Sequence, residues 1–555
     1  DFILNGSRVF CFAVPFDNAQ VSAAAASYPE ARETLLRLKA IGVNAVYTHN
    51  YGCEPGSHLG FGEILKAADD VGMLVFFSQP HFSHYDWKAP GADQANGYAR
   101  HAEFYVRQAQ NHPSVVMYAM SHNSTGYEED MNPDLIDGVH AVRNEWSERN
   151  AKLALRAEAI VKQLDGSRIV YHHAGGNLGV MHTSNFYLNF TPIQERSDWF
   201  EHWATEGIKP LFLCEYGEPW GIDWTLYRGW YQGKRDFGGA KLPWQFCAAE
   251  WNSQFLGDRA FHLNEGDKEN LRFESKQALA GKSWYRWDYP YPVIGSYSTG
   301  SDDKEEVWAL YVAHNWRAFR TWGVTAFNAW SYRNFWKLRD GVDKSRKNYA
   351  VDWEGLQKPG FSPDYIERRF ECLETAYERS DWIPTVAAEA LIRNNQPLLA
   401  YIAGRPEHFT SQEHNFHPGQ VIEKQIIVIN NSRETVMCDC AWVLDISQPI
   451  TGSTKIQVET GRLARVPLRL SLPDSTDPGE YKLEMTARFG NGPEQNDSFL
   501  IHVLPKVSEP RIATKIALFD PPGETAELLR GLNVAVEPID ADADLSGSDI
   551  LIVGK

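Results

Sequence analysis

Short apolar runs alternate with amphipathic helical stretches from residue 8 to about residue 330. The runs have the length and the β-branched or aromatic content of buried strands, and the stretches between them, such as Ala31–Ile41, place apolar residues at three-to-four spacing. This alternation predicts βα units and a parallel sheet. Eight units predict a (β/α)8 barrel of the α/β class, with an eight-unit doubly wound sheet as the weaker alternative. The predicted strands are Val9–Val14, Ala45–His49, Leu74–Ser78, Val115–Met120, Ile169–His173, Ser184–Asn189, Leu211–Glu215 and Gly323–Asn328.

Two smaller modules are predicted after the barrel. We assign residues 1–400 to the (β/α)8 TIM barrel, with a long insertion at about 221–320, and a linker-like segment runs through Arg393–Pro397. Residues 401–507 alternate strands with turn signals, which predicts an immunoglobulin-like β-sandwich. Residues 508–555 form the start of a Rossmann-like α/β module. This partial module is too short to bury a core alone, so we expect that the natural protein continues or that the segment docks on the rest.

Charge and composition exclude several classes of function. The chain has 54 Lys and Arg against 72 Asp and Glu, a net charge of −18, which disfavours nucleic-acid and membrane-surface partners. No run of about 18 apolar residues predicts a membrane span. The seven cysteines lack CxxC spacing, which disfavours a zinc module or a disulfide framework. No signal pattern is visible at Asp1, so the compartment stays open, with secretion or the periplasm favoured over the cytoplasm.

Tryptophan is concentrated in one part of the chain. Fifteen of the 19 Trp residues lie between Trp199 and Trp353, among Asp, Glu, Asn and His side chains. For any single Trp, packing in the core is as good an explanation as contact with a ligand. Together they favour a carbohydrate site, because the apolar faces of sugar rings stack on aromatic rings while the hydroxyls bond to polar neighbours.

Polar residues at the carboxyl ends of the predicted strands are the candidates for chemistry, because these ends meet at one face of a (β/α)8 barrel. Glu215 is the obvious strand-terminal carboxylate. We predict substrate contacts from strand ends, from the long insertion and from its flank: Asn50, His81, His122, Asn123, His173, Tyr187, Trp220, Glu250 and Trp330. Adjacent residues of a strand face opposite sides, so His172 and His173 are expected to diverge, and Cys214 is expected to face outward.

Several segments resemble known glycosidase motifs. Lys209–Gly217 resembles the seventh-strand motif of clan A retaining glycoside hydrolases, in which the terminal Glu is the nucleophile. Four segments resemble the catalytic barrel of glycoside hydrolase family 2, namely Phe2–Phe10, Leu38–Tyr51, Asp69–Val75 and His112–Tyr118. The resemblance spans roughly residues 2–335. It implies a retaining β-glycosidase of the galactosidase, mannosidase or glucanase kind with Glu215 as nucleophile, and it implies no metal and no organic cofactor.

The fourth-strand motif departs from that family. His122-Asn123 occupies the place of the family's Asn-Glu, whose Glu is the acid/base, and Tyr47 stands where the family usually has Arg. A retaining mechanism needs a second carboxyl group about 5 Å from the nucleophile. We assign Glu129 as the acid/base, with Glu128 in reserve.

Two alternatives stay open. The first is a clan A-like glycosidase without a protein acid, as in plant thioglucosidases, and the second is a non-catalytic carbohydrate-binding barrel. The expected partner is a carbohydrate. The terminal half-module resembles glutaminase-like or trimerisation domains of some galactosidases, which suggests a homo-oligomer built through the C-terminal modules. The sugar, the linkage and endo or exo action are not determined by the sequence.

Overall fold

A nearly closed barrel of eight parallel strands holds the first part of the chain. The computed structural model describes residues 1–16, 27–48, 61–120, 122–123, 144–186, 192–217, 230–231, 234–235, 253, 255–262, 265–282, 290, 304–329, 335–343, 346, 377–490, 492–505 and 512–554. A hairpin, β1 (Phe2–Leu4) and β2 (Ser7–Val9), leads into the barrel. The barrel strands are β3 (Cys11–Pro15), β4 (Ala45–Thr48), β5 (Leu74–Ser78), β6 (Val115–Ala119), β7 (Ile169–Tyr171), β8 (His182–Phe186), β9 (Leu211–Tyr216) and β12 (Ala326–Ala329).

The hydrogen-bonded order is β7-β6-β5-β4-β3-β12-β9-β8, and every pair is parallel. The predicted (β/α)8 barrel is therefore confirmed, and the doubly wound alternative is wrong. Two short ribbons accompany it, β10 (Trp230–Tyr231) with β11 (Lys234–Arg235) and β13 (Trp336–Leu338) with β14 (Trp382–Pro384).

Helices surround the barrel because the outward side chains of the strands are apolar. Phe12, Val46, Phe77 and Phe327 pack outward in the large core, whereas Ala13, Tyr47, Phe76 and Phe212 fill the barrel interior.

Two of the surrounding helices begin with a side-chain cap: the Asn144 side chain accepts from Ser147 N–H, and the Thr385 side chain accepts from Ala388 N–H. The helices are α1 (Tyr28–Lys39), α2 (Phe61–Val71), α3 (Ala92–Ala95), α4 (Tyr98–Ala109), α5 (Glu145–Leu164), α6 (Ile193–Asp198), α7 (Glu201–Glu206), α8 (Glu265–Leu279), α9 (Lys304–Trp322) and α10 (Val386–Asn394), with 3₁₀ turns at Phe82–His84, Gly257–Phe261 and Arg379–Asp381.

Strand β9 carries a bulge that the sequence pattern did not reveal. Leu213 pairs with Ser184 and Glu215 pairs with the next residue, Asn185, so that Cys214 is an extra residue in β9. Cys214 lies in the interior core, so the expectation that it faces outward is wrong. The strict alternation of a regular strand fails here because a bulge inserts one residue and turns the side chains that follow it.

A two-sheet sandwich follows the barrel. One sheet has the order β15-β17-β20 and the other has the order β16-β22-β21-β18-β19, and their facing side chains share a single core. Arg393 lies within α10, so the predicted linker begins inside a helix. The strands are β15 (Leu398–Ala403), β16 (Asn415–Phe416), β17 (Val421–Asn430), β18 (Val436–Leu444), β19 (Ile450–Val458), β20 (Arg462–Ser471), β21 (Gly479–Phe489) and β22 (Glu494–Val503).

Polar contacts fasten the sandwich to the barrel. Arg317 of α9 donates two hydrogen bonds to Asp497 of β22, at 3.0 and 3.1 Å. Asp198 of α6 accepts from Thr410, and His408 lies 3.3 Å from the same carboxylate. The two modules are therefore joined by side chains that are charged and partly buried.

A three-stranded parallel sheet ends the described chain. Its strands β23 (Ile516–Phe519), β24 (Glu537–Pro538) and β25 (Ile550–Val553) have the order β24-β23-β25, and α11 (Glu524–Gly531) follows β23. This βαβ arrangement is the one that the Rossmann-like prediction describes. Within the described residues, no helix has both the length and the apolar character needed to cross a membrane. The helix predicted after the barrel, at 363–377, lies almost wholly outside the described residues.

Candidate active site

Glu215 is a fully buried carboxylate at the carboxyl end of β9. The bulge at Cys214 places it beside Asn185 of β8 in the ladder. Burying an ionised carboxylate is unfavourable unless neighbouring groups donate to it or carry opposite charge. The groups that converge on Glu215 therefore indicate what the site is built to do.

Three side chains from two neighbouring strand ends meet Glu215 Oε1. Asn123 Nδ2 donates to it at 3.3 Å, His122 Nε2 lies 3.5 Å away and His173 Nε2 lies 3.7 Å away. The His122 and His173 rings have their centroids 4.3 Å apart, and Tyr47 stacks on His173 at 5.3 Å. All three polar groups come from the carboxyl ends of β6 and β7, which is the face where barrel enzymes place their chemistry.

Asn123 is held in a strained backbone conformation. Its φ of 47° is in the left-handed region, which asparagine tolerates better than most residues. Asn185 Nδ2 donates to Asn123 Oδ1 at 3.1 Å, so a chain of two amides leads from β8 to the Glu215 carboxylate. The amide orientation follows from this hydrogen-bond chain. Strain at such a position indicates a functional constraint on where the side chain points.

The adjacent histidines face two different glutamates. His173 points into the barrel towards Glu215, whereas His172 Nε2 lies 2.7 Å from Glu158 Oε2 of α5 on the outer side of the barrel. Burial acts to raise the pKa of Glu158, but the contacts with His172 and Lys162 outweigh it and lower that pKa below its usual value. The pair His172 and Glu158 thus stabilises the fold, while His173 belongs to the site.

Cys214 carries no reactive thiolate. Burial raises the pKa of its thiol far above the usual range, and the adjacent Glu215 carboxylate raises it further.

Asn328 of β12 is also fully buried, and within the described residues neither its amide oxygen nor its amide nitrogen has a hydrogen-bond partner. Its neighbours Phe327 and Ala329 pair with Leu213 and Tyr216, so Asn328 lies beside the bulge. An unpaired buried amide at the mouth of a barrel is a candidate to bind a ligand hydroxyl.

The structure brings together only some of the predicted site residues. Glu215, His122, Asn123 and His173 converge, and His81 begins the 3₁₀ turn after β5 with its Nδ1 2.7 Å from Ser83 Oγ. The other predicted residues lie outside the described part of the chain, namely Asn50, Glu128, Glu129, Tyr187, Trp220, Glu250 and Trp330.

Sequence reasoning missed Asn185. The sixth strand was predicted at Ser184–Asn189, and its inward positions were assigned to Tyr187 and Asn189, which lie outside the described residues; within the described residues β8 begins earlier, at His182. The available signal was the polar run from His182 to Asn185, which is unusual in a buried barrel strand.

The same cluster contains a set of atoms that can hold a metal. One ligand atom each from His122, His173 and Glu215 lie within 4.8 Å of one another, and two imidazoles with a carboxylate form a ligand set that zinc accepts. The motif resemblance implies no metal here, and a glycosidase nucleophile would have to be free of one to react.

The first part of the chain matches a known enzyme family. Residues 16–224 match the family model described as glycosyl hydrolases family 2, TIM barrel domain. The barrel is therefore similar to the clan A barrel of glycoside hydrolase family 2, as the segments around Asp69, His112 and Glu215 predicted, and the segment containing Glu215 falls within the matched residues.

Several solved structures are similar to the chain at low sequence identity. The chain is similar to a β-D-mannosidase from Dictyoglomus thermophilum, with 10% identity and a TM-score of 0.49 over 93% of this chain and 52% of that one. It is also similar to β-glucuronidase 2 of Bacteroides uniformis, with 14% identity, a TM-score of 0.37, and 99% and 52% coverage.

An exo-chitosanase from Amycolatopsis orientalis gives 11% identity, a TM-score of 0.43, and 89% and 49% coverage. The chain thus spans about half the length of these structures. No curated protein matches it.

Proposed function

We propose that the protein is a retaining β-glycoside hydrolase that acts on a β-linked oligo- or polysaccharide through a covalent glycosyl-enzyme on Glu215. The observation that carries this proposal is a buried glutamate at the seventh strand end of a family 2-type barrel, with an amide and two imidazoles directed at one of its oxygens. The concentration of Trp residues between Trp199 and Trp353 of the sequence also supports a sugar ligand.

In the first step, Glu215 attacks the anomeric carbon. A carbon–oxygen bond forms between the carboxylate and the sugar, and the glycosidic bond breaks with its electron pair going to the leaving oxygen. Asn123 donates to Glu215 Oε1 and so orients the carboxylate, and Asn185 fixes Asn123 in turn. We assign both amides as positioning residues for the attack. In the second step, water attacks the same carbon and releases Glu215.

The proton for the leaving oxygen must come from another group, because Asn123 has no acidic proton. We assign this role to Glu129, with Glu128 as the alternative, because the segment that carries both follows Asn123 directly in the chain. The same residue would then remove a proton from the attacking water. His173 and Asn328 are suited to contact sugar hydroxyls, as are Asn50, His81, His122, Tyr187, Trp220, Glu250 and Trp330.

A second candidate is a glycosidase with the same nucleophile and no protein acid. Asn123 favours it, because an amide without an acidic proton lies beside Glu215, at the sequence position where the resemblance to family 2 places the acid/base glutamate. Such an enzyme would act only on substrates whose leaving group departs without a proton.

Covalent labelling tests the nucleophile. The protein is incubated with a panel of activated 2-deoxy-2-fluoro β-glycosides, and its intact mass is measured. We expect a one-sugar adduct on the unaltered protein and none on Glu215→Gln. The matched control is Glu158→Gln, because Glu158 is also a buried glutamate beside a histidine but faces outward, and this variant should be labelled. Sugar binding without an adduct from any panel member would support a non-catalytic binding barrel.

Leaving-group dependence tests the acid. If Glu129 is the acid, Glu129→Gln should hydrolyse natural β-linked sugars at least about 100-fold more slowly, while 2,4-dinitrophenyl glycosides lose little. Glu128→Gln is the paired control, and the reverse pattern would move the role to Glu128. If the unaltered protein cleaves only activated glycosides and neither variant changes that rate, the protein has no acid and the second candidate is correct.

A further inference from the structure

A cavity of about 190 Å³ lies at the end of the barrel opposite Glu215. Its walls include Val9 and Phe10, which precede β3, and the segment from Gly323 to Thr325, which precedes β12. Residues from β17 and β20 of the sandwich form the other side. The cavity is therefore built where the amino ends of the barrel strands meet the sandwich.

Three arginines from three separate parts of the fold line this cavity: Arg8, Arg320 and Arg462. Arg8 Nη1 donates to the Gly461 carbonyl at 3.0 Å, and its Nη2 pairs with Asp1 at 2.5 Å. Arg320 donates to two neutral acceptors, the Asn394 carbonyl at 2.6 Å and Asn431 Oδ1 at 2.8 Å. Within the described part of the chain, neither Arg320 nor Arg462 forms an ion pair.

The positive charge of this cavity is only partly compensated. Arg320 is 6% exposed, and burial lowers the pKa of its guanidinium to about 9, which still leaves it charged at neutral pH. Burial also lowers the pKa of Arg8, and the nearby Arg462 guanidinium lowers it further. A buried cation without an anionic partner is costly, so an anion in this cavity would relieve both the desolvation and the repulsion.

Two buried polar atoms on the cavity wall have no partner among the described residues, Arg320 Nε and Thr325 Oγ1. Both side chains are more than nine-tenths buried. The Arg320 N–H and the Thr325 hydroxyl, beside the guanidinium groups of Arg8 and Arg462, are donors of the kind that bind phosphate or sulfate oxygens.

We propose that this cavity is a binding site for a small tetrahedral oxyanion, phosphate or sulfate. The anion would bridge Arg320 of the barrel and Arg462 of the sandwich. Binding would therefore stabilise the contact between the two modules, because it is available only when they are assembled.

Calorimetric titration of the whole chain with inorganic phosphate tests this proposal, with sulfate in a second arm and sodium chloride at equal ionic strength as the control. We expect one saturable site for phosphate or sulfate, and a thermal unfolding midpoint that rises with either anion but not with chloride. Heat and midpoint changes that do not exceed those of chloride would overturn the site.

Variants locate the binding. Arg462→Gln, at the exposed mouth of the cavity, should weaken phosphate binding by about tenfold, the size of one lost charge-assisted contact. Thr325→Val removes only the unpartnered hydroxyl and should weaken it by a smaller factor. Arg469→Gln is the matched control, because Arg469 lies on the same strand, β20, but pairs with Glu423 at the surface and should bind phosphate unchanged.

A last variant separates this site from the cluster around Glu215. His173→Ala removes one imidazole at the other end of the barrel and should leave phosphate binding unchanged. If His173→Ala abolishes binding while Arg462→Gln and Thr325→Val do not affect it, the anion binds at the barrel top and the proposed cavity site is wrong. Neither outcome depends on whether the protein hydrolyses glycosides.

Discussion

The two ends of the barrel use charge in opposite ways. At the carboxyl end, Glu215 is a buried anion approached by two histidines and one amide at distances of 3.3 to 3.7 Å. At the amino end, outside the arginine-lined cavity, the partly buried charges of Arg168 and Asp165 are satisfied by close contacts with each other and with the backbone. The carboxyl end gathers an amide and two imidazoles around one buried carboxylate, and at the amino end a pair of opposite charges joins a helix to a strand.

This difference has a physical cause. A catalytic carboxylate must remain able to exchange its protein contacts for bonds to a substrate, so strong pairing with an arginine would suppress attack. A structural carboxylate has no such limit. Partial burial acts to raise the pKa of Asp165, at the end of α5. This carboxylate accepts from Ser167 and from Tyr118 and pairs with Arg168, and these contacts outweigh burial and lower the pKa to about 2. The comparison predicts that substitutions at the top alter activity and those at the bottom alter stability.

The largest expected effect is that of Glu215→Gln. Removing the proposed nucleophile should lower turnover by at least about 10³-fold, while the thermal unfolding midpoint should stay unchanged or rise, because a buried charge is lost. Steady-state kinetics and calorimetry on the same sample measure both quantities. A clear fall in the midpoint would show that Glu215 is a structural carboxylate and would remove the contrast between the two ends.

Asp165→Asn should cost about 2 kcal/mol of unfolding free energy at pH 7 and leave turnover per folded molecule unchanged. The folded-state pKa of Asp165 is below its unfolded value, so its contribution is present above about pH 4 and is lost as the pH falls towards about 2. Urea unfolding of both proteins across this range measures the effect. A difference that stays constant down to pH 2 would show that the loss is not electrostatic.

Arg317→Gln should cost about 1.5 kcal/mol, because it breaks a two-point contact with Asp497 whose side chains are mostly buried. The exposed pair Arg469 and Glu423 gives the control, for which Arg469→Gln should cost under about 0.5 kcal/mol. Urea unfolding compares the two variants. Equal losses would mean that the contact between barrel and sandwich adds no more stability than a surface pair.

The smallest expected effect is that of Asn123→Gly, which should slow formation of the glycosyl-enzyme by about tenfold, the size of one lost hydrogen bond to the nucleophile. Glycine adopts the left-handed φ of this position without strain, so stability should change by less than about 1 kcal/mol. Single-turnover kinetics with an activated glycoside give the rate. An unchanged rate would show that the amide does not orient Glu215.

Much of the fold was predictable because period-two and helical patterns are local. Strand β5 has the predicted bounds, Leu74–Ser78, and β6 ends one residue before its predicted end. The prediction was less accurate where tertiary context overrides the pattern. Strand β8 is mostly polar, and its Asn185 contacts the site, so its hydrophobic pattern is weak and its start was predicted two residues too late. The end of α10 was predicted as part of a linker, because paired asparagines such as Asn394 and Asn395 are typical of turns. In the structure Asn394 is buried and accepts a hydrogen bond from Arg317.

The sequence by itself determined the eight βα units, the glutamate at the end of the seventh strand and the replacement of the family's acid/base glutamate by Asn123, because each depends on residue type and spacing along the chain. Only the tertiary structure decided that Asn123 bonds to Glu215, that His172 and His173 serve different glutamates, and that three arginines distant in sequence share one cavity. The β9 bulge and the packing of the sandwich against the barrel set these contacts. They depend on how strands and modules meet in space, and no local pattern records that.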